Sequence, residues 1–279
     1  MTESPGAKKT RSNLQLRVIS GVVLAVAVLA LTWLGGFPFR LFAVVMAAAI
    51  FHEWLFMRSG QNKVHLLLSR FVLAGALSLL LVGFPPAYVL GGIAIAAVIA
   101  AISGTVSGSG LWAYHGILYS AIPCAALSFL RGTDSDGFWT VVFLFAIVWG
   151  TDTIAYFTGR AIGGPKLAPS ISPGKTWSGA VGGTVGGMLA AVLVALFAWD
   201  NVSLLAIIVT ALLLSVASQI GDLFESAVKR RHGVKDSGNL IPGHGGVMDR
   251  VDGLVAAAVV LFILWVPFLS SPGMNSFQP

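Results

Sequence analysis

The sequence predicts an all-α polytopic membrane protein, with about nine transmembrane helices and a polar site facing the cytoplasm. Three observations carry that prediction. Hydrophobic residues fill 56% of the 279 positions and charged residues only 10%, with a mean hydropathy of +0.87, far from the balance of a soluble domain. The apolar residues gather in roughly nine stretches, each near the ~20 residues that a span needs. The basic residues fall almost entirely in alternate connections between those stretches. A soluble bundle would need polar faces at a 3.6-residue period, whereas most of these stretches are apolar all round.

Taken in order, the stretch at 18–35 is longer than the apolar region of a signal peptide, and eight more follow, so it is read as a retained span. The second, 39–57, carries Glu53 in the string FHEW, and the third and fourth, 66–83 and 88–106, are generic spans. The fifth, 111–130, holds the lone Cys124, a small core residue with no partner for an internal disulfide. The sixth, 138–158, carries Asp152 in GTDTIAYF. The seventh, 180–198, begins in a glycine-rich segment whose Gly179, Gly182, Gly183, Gly186 and Gly187 include small-xxx-small spacing, the pattern of close helix packing. The eighth, 203–224, ends in Ser218, Gln219 and Asp222, and the ninth is 252–269.

Orientation follows from the bases. With the N-terminus in the cytoplasm, inside segments hold fifteen Lys and Arg while outside ones hold only Arg40 and Arg131, accounting for all 17. Losing one span would scatter them to both sides. The C-terminus then lies outside, on a tail (270–279) with no charged side chain. The bases near the N-terminus, Lys8, Lys9, Arg11 and Arg17, serve orientation and contact with anionic lipid. Nucleic-acid binding is discounted, because the later bases sit between spans without an aromatic stacking platform.

The densest charge lies at 226–252, SAVKRRHGVKDSGNLIPGHGGVMDRVD, which reads as a cytoplasmic loop between the last two spans. Acids, histidines and glycines are interleaved with its bases, which points to phosphate and metal chemistry rather than orientation alone. Asp222 and Glu225 are three apart and share a helix face. Divalent metals such as Mg²⁺ take hard carboxylate oxygens and keep waters and substrate phosphates as further ligands, and Asp222 is placed to be one such carboxylate. DRVD, 249–252, offers a second source on the neighbouring element, so that Asp222 and Asp249 form a candidate metal pair. Glu53 and Glu225 are read first as helix–helix hydrogen-bonding acids; for Asp152 that role and a site role are equally open. The IPGHGG run supplies glycines for a phosphate cradle. The connection at 160–183 repeats the theme with Lys166, Ser170, Ser172, Lys175, Thr176 and Ser178. Its Gly174-Lys175-Thr176 lacks the earlier glycine of a P-loop, since position 169 is proline, and that reading is rejected.

These residues carry a resemblance. The 226–252 stretch resembles the signature of the phosphatidate cytidylyltransferase (CDP-diacylglycerol synthase) family, whose fixed positions are met by Ser226, Lys229-Arg230, Lys235-Asp236, Gly238, Pro242, His244-Gly245-Gly246, Asp249-Arg250 and Asp252. DTIAYFTGR and KLAPSISPGKT are similar to further family segments. The likeness covers about 110–270, so residues 1–110 are expected to be generic spans and 111–279 a catalytic region. It departs at Ser178-Gly179, where the family commonly has Glu-Gly. The resemblance implies a multi-pass enzyme of the cell (inner) membrane, a homodimer, that uses Mg²⁺ to convert CTP and phosphatidate to CDP-diacylglycerol and pyrophosphate. It implies Asp222 and Asp249 as metal ligands, with Lys229, Arg230, Lys235, His244 and Arg250 acting on phosphates. Ser172, Lys175, Thr176, Asp236, Gly245, Gly246 and Asp252 would complete substrate binding. Two alternatives stay open: a CTP-dependent lipid kinase, which would release CDP rather than pyrophosphate, and a secondary transporter of an anionic solute, against which stand the absence of an internal repeat and the clustering of polar groups at one face.

Overall fold

The computed structural model describes residues 13–200, 202–241 and 245–265, with side chains of the first helix from residue 21 onward. Nine helices occur among these residues: α1 (Asn13–Leu34), α2 (Gly36–Phe56), α3 (Lys63–Val82), α4 (Pro86–Val106), α5 (Trp112–Arg131), α6 (Ser135–Ile162), α7 (Trp177–Ala198), α8 (Leu204–Arg231) and α9 (Met248–Trp265). Seven of them, α2 to α8, are long and apolar enough to cross a membrane. The described apolar part of α1, Gly21–Leu34, is shorter, and α9 opens with the charged Asp249, Arg250 and Asp252. Large apolar side chains such as Phe71, Val106, Leu196 and Phe197 stay largely exposed, an arrangement that suits hydrocarbon and not water.

Helix ends are set by local chemistry. Asn62 Oδ1 accepts from Val64 N at 2.9 Å and opens α3, and Gly83, at φ +96°, closes it with its N–H on Leu79 O and Leu80 O. Asp134 caps α6 through Gly137 N (2.7 Å), and Thr176 caps α7 through Gly179 N (3.1 Å). The C-terminus of α1 is closed from outside: the buried Arg131 donates to Thr32 O and, at 3.1 Å, to Trp33 O. That contact explains one of the two arginines on the otherwise base-poor face.

Helix α5 is the axis of the bundle, with residues 123–131 all buried and α2, α4, α9 and α6 packed around it. Helices α6 and α7 form the tightest pair. A Cβ on Gly183 would lie 2.7 Å from Thr151 O, and one on Gly179 2.9 Å from Ala155 O, so only glycine lets the two backbones meet. Hydroxyls extend that contact to α8, with Thr151 Oγ1 2.8 Å from Ser215 Oγ and Gln219 Nε2 donating to Thr184 Oγ1 at 3.0 Å.

Three features depart from the sequence reading. The fold is not purely helical: β1 (Lys166–Ala168) and β2 (Ser172–Thr176) form a small antiparallel hairpin, pairing Lys166 with Thr176 and Ala168 with Ser172. Helix α8 runs to Arg231 rather than ending at 224, so the first six residues of the charged stretch are helical and not loop. Helix α6 likewise continues to Ile162. In both cases the helix keeps its hydrogen bonds after its side chains turn polar, and apolar length alone cannot register that.

Candidate active site

The ends of α6, α8 and α9 and the β1–β2 hairpin lie at one face of the bundle, the face that also holds the connections α2–α3 and α4–α5. There a cavity of about 700 Å³ opens between α6, the hairpin, the start of α7 and α8. Asp152 and Arg160 of α6, Lys166 and Lys175 of the hairpin, and Gln219 and Asp222 of α8 line it. Lys175 Nζ pairs with Asp222 Oδ2, and both side chains remain about a quarter exposed. The cavity therefore presents three cations and two carboxylates on one wall set, with glycines at 159, 163, 164, 174 and 179 leaving its backbone approachable.

A second cavity, of about 520 Å³, is almost wholly apolar and lies between α2, α5, α8 and α9. Leu118, Ile122, Phe224, Val255 and Val259 line it, with Asp252, Tyr119 and His115 among its polar groups. The two cavities flank the same turn of α8: Gln219 and Asp222 face the polar one, Ile220, Gly221 and Phe224 the apolar one.

Lys229, Ser237, Gly246 and Asp249 of the charged stretch build a separate buried network with Glu225. Lys229 Nζ sits between Asp249 Oδ1 at 2.6 Å and Glu225 Oε1 at 2.9 Å, the latter one helical turn away. Asp249 Oδ2 accepts from Ser237 N and Gly246 N, each at 2.9 Å, and lies 3.0 Å from Ser237 Oγ. Asp249 thereby ties the ends of the 237–246 loop to the start of α9. Glu53, buried in α2, supplies the matching cap: it accepts from Val247 N and Met248 N at 2.8 Å each and lies 3.0 Å from Ser237 Oγ. Gly246 is required here, since a Cβ would fall 2.1 Å from Ser237 Oγ and 2.5 Å from Glu53 Oε2.

Of the residues singled out from sequence, Lys175, Thr176 and Asp222 meet in the polar cavity. Thr176 also caps α7, and Ser172 pairs in the hairpin without lining the cavity. Lys229, Asp249 and Gly246 belong to the buried network, and Gly245, at φ +83°, turns the loop beside it, with its carbonyl accepting from Ile241 N at 2.9 Å. Asp252 lines the apolar cavity. Arg230, Lys235, Asp236 and Arg250 are exposed at this face, Arg230 Nη1 donating to Val234 O at 3.1 Å. His244 lies outside the described residues. The structure does not bring Asp222 and Asp249 to one cavity, and among the described residues no three acids, histidines or cysteines converge as a metal cage. The site still fits Mg²⁺, which is commonly held by one or two carboxylates plus substrate phosphates: Asp222 and Asp152 offer hard oxygens to a cavity whose cations suit phosphate.

Three contributors escaped the sequence reading. Arg160 reaches the cavity because α6 outlasts its apolar segment, while Asp152, for which the sequence leaves a site role open, lies within that segment and also lines the cavity. The Glu53 cap spans 195 positions, and its one signal is that Glu53 is the sole carboxylate from 37 to 131. A stack of Trp54 on Trp112 (4.5 Å), fastened by Trp54 Nε1 on Trp112 O and Trp112 Nε1 on Trp54 O, carries His232 on its far side at 4.3 Å and locks α2 and α5 against the end of α8.

Residues 15–268 match the model of the cytidylyltransferase family. The chain belongs to that family. Among similar members, the phosphatidate cytidylyltransferase of Brucella abortus biovar 1 (strain 9-941) is 47% identical over 264 residues, 92% of this chain and 95% of the relative. Those of Rickettsia bellii (strain RML369-C) and Bacillus subtilis (strain 168) are each 31% identical, over 263 and 271 residues, covering 92% of this chain and 92% and 99% of the relatives. For a cytidylyltransferase-family member, a cavity with cations beside carboxylates is the expected setting for a polyphosphate.

Proposed function

We propose that the chain is a phosphatidate cytidylyltransferase, joining CTP to phosphatidate to form CDP-diacylglycerol and pyrophosphate. The observation that carries the reading is the pair of cavities on one turn of α8, a polar one for a nucleotide and an apolar one for acyl chains. The identity of 47% over 92% of the chain supports it.

In the reaction a phosphate oxygen of the lipid attacks the α-phosphorus of CTP; that P–O bond forms as the α–β P–O bond breaks and pyrophosphate departs. Both reactants are anions, so rate depends on neutralisation and alignment, not on an enzyme nucleophile. Lys166, Lys175 and Arg160 neutralise the triphosphate, and Thr176 fixes the start of α7 beneath it. Phosphatidate lies with its chains in the apolar cavity and its headgroup at the same face. Asp222, with Asp152 beside it on the cavity wall, would hold Mg²⁺, which when bound would supply positive charge to the phosphates, while Asp249, proposed from the sequence as a second ligand, lies outside this cavity and organises the 237–246 loop. Arg230, Lys235, Asp236 and Arg250, exposed at the rim, would guide the anions inward. The finer topology of nine spans, with this face and the N-terminus cytoplasmic, the C-terminus outside and the cell (inner) membrane as host, belongs to the same proposal and is supported by the distribution of bases.

The test is product analysis of the purified protein with CTP, phosphatidate and Mg²⁺. CDP-diacylglycerol and pyrophosphate are expected in equal amounts. Release of CDP with a phosphorylated lipid would instead assign a kinase, and no lipid product at all would refute the reading.

A further inference from the structure

A third cavity, of about 460 Å³, lies between α2 and α3 and shares no lining residue with the other two. Its wall is apolar, built from Val44, Phe51, Leu73 and Leu77, and its polar groups include Arg70 and His52. Both are exposed. Arg70 stands seven residues into α3, about 10 Å along the axis from Lys63, and His52 four residues before the end of α2. The short connection between those helices puts both at the face that carries the active site.

An arginine at that depth needs an anion, and among the described residues the helices packed against α3 offer it none. Helix α3 packs against α4, α2 and α5. From residue 37 to residue 131, which spans all of these helices beyond the first residue of α2, the only carboxylate is Glu53. Glu53 is buried and turned away, engaged with Val247 N, Met248 N and Ser237 Oγ. The other cationic or titratable groups near this end carry no negative charge: Arg58 and Lys63 at the rim, His65, whose Nδ1 bonds Ser103 Oγ at 2.8 Å, and Tyr114 and His115 at the start of α5. The groove is therefore positive at its mouth and apolar along its length, which is the complement of a lipid with a phosphate and an acyl chain. Guanidinium suits phosphate through its paired donors.

We propose that the α2–α3 groove binds an anionic phospholipid of the surrounding bilayer, with its phosphate on Arg70 and His52 and one chain against Val44, Phe51, Leu73 and Leu77. The site is separate from the reaction centre and does not depend on which substrates that centre takes.

Native mass spectrometry of the detergent-solubilised full chain tests it, titrating phosphatidylglycerol or phosphatidylcholine with identical chains. No CTP or phosphatidate is present, so the result stands apart from the fate of the transferase reading. One phosphatidylglycerol should be retained in preference to phosphatidylcholine. Arg70→Leu, apolar at a lipid-facing position, should weaken that retention roughly five- to tenfold, the effect of one basic residue at an anionic surface. Arg70→Lys should fall between, and His52→Leu gives a second variant should Arg70→Leu fail to fold. Lys175→Ala, in the other cavity, should leave retention unchanged. Equal binding of the two lipids, or equal phosphatidylglycerol binding by the native chain and both leucine variants, overturns the proposal. So does loss of a dimer mass, rather than of lipid, in Arg70→Leu, which would assign the groove to a second copy of the chain.

Discussion

Two aspartates that look alike in sequence stand in different surroundings, and their variants should separate. The Asp222 side chain is 29% exposed and faces the polar cavity with Lys175 as its ion-pair partner, whereas that of Asp249 is 6% exposed and accepts from a lysine and a loop backbone. Asp222→Asn should lower turnover by orders of magnitude while leaving thermal stability close to native. Asp249→Asn should lower turnover too, but with a clear drop in melting temperature, because it leaves buried donors short of an acceptor at about 1–3 kcal/mol each. Equal melting temperatures for the two variants would show that Asp249 does not organise the loop. Glu53 makes the same argument from the other end of the chain. Glu53→Leu orphans Val247 N and Met248 N and should destabilise the protein more than Glu53→Gln, which keeps one oxygen. Thermal melts of the pair, read beside cytidylyl transfer, check it; a leucine variant as stable as the glutamine one would remove the capping role.

At the scale of elements, α6 and α7 meet through glycine, and the hairpin that carries Lys175 hangs from that contact. Gly183→Val would place a Cβ 2.7 Å from Thr151 O and 2.8 Å from the Ala155 side chain, and backbone cannot yield as a flexible side chain can. The expected cost is about 1–3 kcal/mol, with Lys175 displaced from Asp222 and transfer impaired at saturating CTP. Native stability and activity in that variant would mean the helices separate without consequence. The small-xxx-small spacing made this contact legible in the sequence, and the nine helices were legible from apolar length. The hairpin was not: three- and five-residue strands interrupted by Pro173 show no alternation to detect. The polar ends of α6 and α8 were lost for the opposite reason, since hydropathy follows solvent and not hydrogen bonding. Within the site, Asp222, Lys175 and Thr176 were readable because they cluster in local motifs, while Asp152 and Glu53 depend on which helices become neighbours.

For the whole molecule, the distribution of charge makes a claim about direction that its one cysteine allows to be tested without further engineering. Cys124 is fully buried in α5 and should not react with a bulky maleimide. Ser59 is exposed in the α2–α3 connection at the active-site face, and Ser135 is exposed at the start of α6, the far end of the bundle from Trp112. The proposed cytoplasmic active site would share its compartment with CTP, and the bases crowded at that face would hold it there against translocation. In spheroplasts, a membrane-impermeant maleimide should therefore label Ser135→Cys from outside and reach Ser59→Cys only after permeabilisation, with the native chain unlabelled throughout. The reverse pattern would invert the protein and place its nucleotide cavity where no CTP is supplied. Labelling of both from outside would break the nine-span topology, because an even number of crossings would then separate two positions that the fold sets at opposite ends.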